Sequence, residues 1–355
     1  MKIVSIVGAR PQFIKCSPVS RELRKSHMEV LIHTGQHYDY EMSKLFFEQL
    51  SIPKPDYNLG IGSESHGKQT GKMLIEIEQV LLREKPDFVL VYGDTNSTIA
   101  GALAAVKLYI PLGHVEAGLR SFDKSMPEEI NRVLTDHCSD LLFSPTKTSV
   151  NNLKKEGITK GVYLTGDVMY DALLSNIIVA EKSKILDKLG VKPKEYILTT
   201  IHRPSNTDNP KNLLNILNAL SEIDEPVIFP IHPRTKKFIK NHGLEGKIKD
   251  NILFSNPIGY IDFLWLEKNA KKILTDSGGV QKEAYILKIP CITLRENTEW
   301  IETIEDGWNV LVGADKEKII DAVAKFNPSK EQSNHFGIGE ASKNIKGIID
   351  EFVQK

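Results

Sequence analysis

Thr275-Asp276-Ser277-Gly278-Gly279-Val280-Gln281-Lys282-Glu283 joins a short apolar run (Ile273, Leu274) to a helical pattern through paired glycines. Two adjacent residues without Cβ let the backbone approach an anion. The N–H groups of a helix's first turn, at the positive end of its dipole, then point toward that anion. The chemistry such a stretch serves is phosphate binding, with a plain tight connection as the alternative. Glu283 falls about one and a half helical turns after Ser277, placed to reach a ribose hydroxyl of a nucleotide held there.

Further polar groups follow apolar runs. Arg10 and Lys15 come after 2–7, Asp94 after 87–91, and Glu116 and Arg120 after 111–115. His202 and Arg203 come after 195–200, and His232 and Arg234 after 226–231. In open parallel sheets ligands bind outside the carboxyl ends of strands, so each group lies where a ligand would. Glu116, between an apolar run and Ala117-Gly118, needs a partner if buried, and Arg120 or a substrate could supply it. Asp94 could instead cap the helix after Gly93, and His114 reads as a core histidine. Met126-Pro127-Glu128-Glu129-Ile130-Asn131-Arg132 looks like a helix start, with proline in the first turn and acids near the positive dipole end. Glu128 and Arg132 share a face there, where a solvated ion pair is the simpler role.

Three motifs fall short. Gly62-Ser63-Glu64-Ser65-His66-Gly67-Lys68-Gln69 nearly spells a P-loop, but Gln69 stands where Ser or Thr must hold magnesium. His114-Val115-Glu116 echoes half of a zinc deaminase signature, whose paired cysteines are missing around Pro290-Cys291, so no metal is expected. No Gly-x-Gly-x-x-Gly follows the first run, where Gly8-Ala9-Arg10-Pro11 stands, so no dinucleotide cofactor is expected.

The elements that must position these groups are strands alternating with helices. Strand-like runs occur at 2–7, 29–33, 87–91, 111–115, 140–143, 195–200, 226–231, 251–254, 272–275 and 290–294. That rhythm predicts an α/β fold of parallel sheets in two Rossmann-like halves with a crevice between them. The length of 355 residues suits two domains. The expected division is 1–180, a charged linker at 181–195, 196–335, and a final helix within 336–355. Charge is balanced, 46 basic against 46 acidic residues, which favours neither nucleic acid nor an anionic membrane as partner. The opening strand lacks the pattern of a signal peptide, and no apolar run is long enough to span a bilayer. Cys16, Cys138 and Cys291 read as reduced thiols, so a cytoplasmic location is expected.

Five blocks together resemble the non-hydrolysing UDP-N-acetylglucosamine 2-epimerases. They are Gly93-Asp94-Thr95-Asn96-Ser97, His114 to Ser121, Pro127 to Arg132, Thr200-Ile201-His202-Arg203 and Asp276 to Gln281. The resemblance implies a glycosyltransferase-B arrangement of the two domains, usually a homodimer, with a last helix (about 338–353) returning to the first domain. It implies inversion at C2 of a UDP-linked 2-acetamido sugar: UDP leaves to give a glycal and returns with the proton on the other face. Such a site needs proton-transfer groups on both sugar faces and stabilisation of the departing diphosphate.

Carried onto the matching positions, Asp94, Glu116 and Glu128 are the acid/base carboxylates, with His202 near the diphosphate and sharing in the catalytic proton traffic. Arg10, Lys15 and Arg132 contact phosphate or sugar. Ser277, Gly278 and Gly279 hold the diphosphate, Glu283 the ribose, and Phe263 lies against uracil or serves as core. Thr34-Gly35-Gln36-His37 and Gln69 resemble part of a second UDP-sugar site.

Several positions depart from the family pattern. Gln12 ends a Gly-Ala-Arg-Pro-Gln loop where Gly-Thr-Arg-Pro-Glu is common, Pro204-Ser205 replace the usual residues after His-Arg, and Lys282 replaces a glutamate. Thr298-Glu299-Trp300-Ile301-Glu302 stands for Thr-Glu-Arg-Pro-Glu, so Trp300 removes an arginine expected near the nucleotide. With Gly307-Trp308-Asn309, these variants resemble the subgroup acting on UDP-2,3-diacetamido-2,3-dideoxyglucuronate. Its 6-carboxylate would need a spare arginine, Arg234 or Arg295, while conversion of UDP-GlcNAc to UDP-ManNAc stays open beside it. A glycosyltransferase of the same architecture, or a nucleotide-sugar sensor, are the rival readings.

Overall fold

The computed structural model describes residues 1–36 and 52–353, the side chains of Arg10 and Val353 excepted. Contacts divide the chain into two units, Met1–Ser175 with Asn334–Lys355, and Asn176–Ser333.

In the first unit β1 (Lys2–Val7), β2 (Met28–His33), β3 (Tyr57–Asn58), β4 (Phe88–Tyr92), β5 (Leu112–Val115), β6 (Leu141–Ser144) and β7 (Val162–Leu164) form one sheet in the order β3-β2-β1-β4-β5-β6-β7. Every pairing is parallel. Its central strands are buried on both faces, as covering helices require: Val4 and Ile6 pack with Met73 and Ile77 of the helix His66–Glu84 and with the alanines of Asn96–Lys107. Order reverses between β1 and β4, which opens a crevice at their carboxyl ends.

The second unit repeats the scheme. β8 (Ile197–Thr200), β9 (Val227–Pro230), β10 (Ile252–Ser255), β11 (Lys272–Thr275), β12 (Cys291–Thr293) and β13 (Asn309–Leu311) run parallel in the order β10-β9-β8-β11-β12-β13, with reversal between β8 and β11. Ile197, Phe229 and Leu274 of its strands pack with Leu213, Ile216 and Leu217 of the helix Pro210–Ser221. The charged stretch 181–195 lies in this unit and includes the helix Ile185–Leu189, closed by Gly190 at φ 65°.

Three strands escape the sequence reading: β3, β7 and β13 have two or three residues and lie at sheet edges. So short a run carries no alternation; its strand geometry comes from the neighbour it pairs with. No helix among the described residues is long and apolar enough to cross a membrane.

Candidate active site

The first unit gathers its polar groups at the β1/β4 reversal. After β1 the chain turns into the helix Arg10–Leu23, and Gln12 pins that turn: its Oε1 accepts from Gly8 N at 2.8 Å and Ala9 N at 3.0 Å. Its Nε2 donates to the Tyr92 carbonyl at the end of β4, at 2.7 Å. One turn further, Lys15 is buried with its ammonium on the Glu116 carboxylate. A Cβ at Gly93 would stand 3.1 Å from Lys15 Nζ and 3.5 Å from Glu116 Oε2, so Asp94 starts beside the same pair. Its own carboxylate pairs with Arg132. Both acids are thus held by a cation.

Glu116 sits at φ 75°, a region that non-glycine residues enter at a cost of about 1–3 kcal/mol. The surroundings over-determine it. Glu116 N and Ala117 N both donate to the Phe143 carbonyl at 3.1 Å, and Gly118 N donates to Asp136 Oδ2 at 3.1 Å. Asp136, fully buried, also accepts from Arg120 and bonds His114 Nδ1 at 2.7 Å, while His114 Nε2 meets the Gly93 carbonyl at 2.7 Å. His114 is therefore the buttress that ties the Asp94 turn to the Glu116 turn. Arg120 is not the partner of Glu116; its fork is spent on Asp136 and Glu156.

The helix Pro127–Cys138 starts with its proline as expected. Arg132 contacts Asp94 and Glu129, and Asn131 Nδ2 donates to the Asp94 carbonyl at 3.0 Å. Glu128 is exposed on the first turn. Its neighbour Glu129 is buried and accepts from Ser121 N, Ser121 Oγ and Phe122 N at 2.8 to 3.0 Å. Asp94 is not the cap of the helix Asn96–Lys107, whose N-cap is Thr95. Arg10 opens its helix, and its side chain lies outside the described set, as does His37. Gln36 accepts from Ser97 N and Oγ, and Gln69 accepts from Asn96 Nδ2 at 2.8 Å.

The second unit builds its site at the β8/β11 reversal. Asp276, fully buried, accepts from His202 N, Arg203 N and Asn206 Nδ2 at 3.0 to 3.1 Å and lies 3.3 Å from His202 Nδ1. It clamps the His202-Arg203 turn against the glycine pair, leaving the His202 ring 44% exposed. Ser277 is the N-cap of the helix Gly278–Ile286. Neither Gly278 nor Gly279 has positive φ, and a Cβ at either would meet nothing nearer than 3.4 Å. The fold itself has room for side chains here, so neither packing nor backbone conformation calls for glycine at these two positions.

The remaining residues of the reading separate. Arg295 makes a fork on Glu299, both contacts 3.0 Å, with Arg203 at 4.0 Å from the same carboxylate. Burial would raise the Glu299 carboxyl, yet Arg295 and then Arg203 hold it below its ordinary value. Arg234 is paired with Asp208 at 2.6 Å, and His232 is exposed as a helix N-cap. Each of these arginines, the candidates for a 6-carboxylate, is engaged by a carboxylate of the chain. Phe263 is half-buried on the helix Tyr260–Asn269. Glu283 is buried against Glu267 of that helix. Burial, then the Glu283 charge, push the Glu267 carboxyl well above its ordinary range. Glu267 gave no signal in the sequence because its partner lies on another helix.

Among the described residues no cluster of three or more His, Cys, Asp or Glu is arranged to hold a metal ion. A family model described as UDP-N-acetylglucosamine 2-epimerase matches residues 21–350. A UDP-N-acetylglucosamine 2-epimerase homolog of Methanococcus maripaludis is 61% identical over 98% of this chain and 99% of its own length. The UDP-2,3-diacetamido-2,3-dideoxy-D-glucuronate 2-epimerase of Pseudomonas aeruginosa is 48% identical over 97% of this chain and 98% of its own. The crystal structure of Methanocaldococcus jannaschii UDP-GlcNAc 2-epimerase in complex with UDP-GlcNAc and UDP superposes with a TM-score of 0.92. It is 52% identical and covers 99% of this chain and all of that one. A family model that spans nearly the full length, together with relatives at half identity or more, establishes that this chain belongs to the UDP-N-acetylglucosamine 2-epimerase family, a family of isomerases.

Proposed function

We propose that this chain interconverts UDP-GlcNAc and UDP-ManNAc without hydrolysis, expelling UDP to a glycal and taking it back with inversion at C2. The observation that carries the reading is the pair of strand-end carboxylates, Asp94 and Glu116, each on a cation and tied together through Gly93 and His114. Asp94, Glu116 and Glu128 move the proton; His202, Arg203 and the bare Gly278-Gly279 backbone receive the diphosphate; Glu283 holds ribose and Phe263 faces uracil. Lys15 and Arg132 contact substrate from the first unit. No bound cofactor takes part.

The Pseudomonas relative favours a second substrate, UDP-2,3-diacetamido-2,3-dideoxyglucuronate. Against it stand Arg234 and Arg295, both engaged by carboxylates of the chain. We take the chain to be a cytoplasmic homodimer. Buried, reduced Cys16 and Cys291, the latter thiol pushed up to about 12 by burial, fit a reducing compartment. Exposed Ile75 and Leu82 of His66–Glu84, and Ile130 and Leu134 of Pro127–Cys138, are apolar side chains that a second copy would cover.

Incubation with each UDP-sugar in heavy water tests the proposal. Deuterium at C2 of both epimers is the expected result, with UDP-GlcNAc as the better substrate. No exchange with either sugar would leave a transferase or a sensor.

A further inference from the structure

Trp300 lies over the glycine pair. Its Nε1 comes 3.4 Å from where a Cβ of Gly278 would stand, and the indole ring carries the Lys282 ammonium 4.0 Å from its centroid. Both side chains are buried, 4% and 2% exposed. The backbone at Trp300 is fixed to the same helix that presents the glycines. Trp300 N donates to Thr298 Oγ1 at 3.1 Å, and Thr298 Oγ1 donates to Gln281 Oε1 at 2.6 Å. From the other side, Thr303 N and Oγ1 donate to the Trp300 carbonyl at 3.1 and 2.7 Å. The ring is therefore set in place before any ligand arrives. Glu299, whose Oε2 is 3.6 Å from the same Cβ position, is neutralised by the Arg295 fork and does not leave an uncompensated anion beside the seat.

A buried ammonium costs desolvation, and a ring face is one of the groups that can offset it. The same contact draws electron density toward the cation, which makes the indole N–H a stronger donor at its edge. An indole gives one hydrogen bond and no charge; a lysine gives charge but here cannot reach solvent. Stacked on the ammonium, the ring turns its N–H edge toward whatever occupies the bare backbone.

We infer that Trp300, backed by Lys282, is a nucleotide-positioning residue whose Nε1–H donates to a phosphoryl oxygen held at Gly278 and Gly279. The inference rests on the reading that this pair receives the diphosphate of UDP. Calorimetric binding of UDP and of uridine to the full chain separates the possibilities. Trp300→Phe keeps the ring and the stacked cation but removes the N–H. It should weaken UDP about tenfold, the scale of one hydrogen bond to a charged group, and leave uridine unchanged. Trp300→His, which retains a ring N–H, should recover part of the loss. Lys282→Met should weaken UDP in the Trp300 protein and have little further effect in Trp300→Phe, and it reads the same coupling if Trp300→Phe does not fold. Equal UDP affinity in wild type and Trp300→Phe, or equal losses for UDP and uridine, would overturn the role. A wild-type chain that binds uridine but gains nothing from the diphosphate would overturn both this inference and the reading beneath it.

Discussion

Lys15 and Arg132 each sit on one carboxylate at the end of a strand, and that placement decides what a conservative change there would do. Asp94→Asn and Glu116→Gln keep shape while removing the carboxylate proposed to move the proton. Each should lower turnover by about 10²–10⁴-fold, the usual worth of positioned proton transfer, while UDP affinity stays near wild type. Glu128→Gln should behave alike, whereas Glu129→Gln should instead cost stability, about 1.5–3 kcal/mol for a buried charged acceptor. Steady-state rates beside thermal unfolding check both; turnover near wild type in any of the first three removes that residue from the acid/base set. The two neighbours show how far residue reading goes. Types and spacing marked the Pro127 to Arg132 block, but only the fold reveals that Glu129 holds Ser121 and Phe122 while Glu128 faces outward. Gln12 is similar. Its amide both accepts from two N–H groups and donates to Tyr92 O, work an ionised glutamate cannot do alone.

At the scale of elements, Glu267 of the helix Tyr260–Asn269 is buried within reach of the Glu283 charge on Gly278–Ile286, and burial followed by that like charge disfavours its ionised form. The folded Glu267 carboxyl is raised above its unfolded value, so its favourable contribution is complete below about pH 4.5 and is lost as pH rises toward the raised value. Each unit of that rise is worth about 1.4 kcal/mol. Glu267→Gln keeps the shape of the side chain and does not ionise. Its melting temperature relative to wild type should therefore climb as pH increases above the carboxylate range. A difference independent of pH would show that Glu267 carries no proton in the fold. Strand ends, glycine pairs and helix starts were readable here because each is local. The Glu267–Glu283 pairing and the Asp276 clamp on His202-Arg203 were not, since the first joins two different helices and the second joins elements more than seventy positions apart.

Over the whole molecule the chain leaves its first unit at Ser175 and returns at Asn334, so that unit is completed by its last residues. The alternating rhythm disclosed two parallel sheets. It could not disclose the cap that brings the final helix home: Asp171 accepts from Ala341 N at 3.1 Å and Ser342 N at 2.8 Å, across 170 and 171 positions. That helix, Ala341–Val353, packs beside Arg10–Leu23 with Ile345 and Ile349 buried, and His27 bonds Asp350 at 2.6 Å. Burial of two isoleucines is the larger force, since each truncation to alanine costs about 2–5 kcal/mol and a cap about 1. Ile345→Ala with Ile349→Ala should thus release the helix and loosen the sheet it covers, while the second unit, which it does not belong to, stays protected. Amide exchange resolves this by segment: β1, β2 and β4 should lose protection and β8, β9 and β11 keep theirs. Equal loss in both sets would mean that the two units unfold as one, and that the final residues hold the entire chain together.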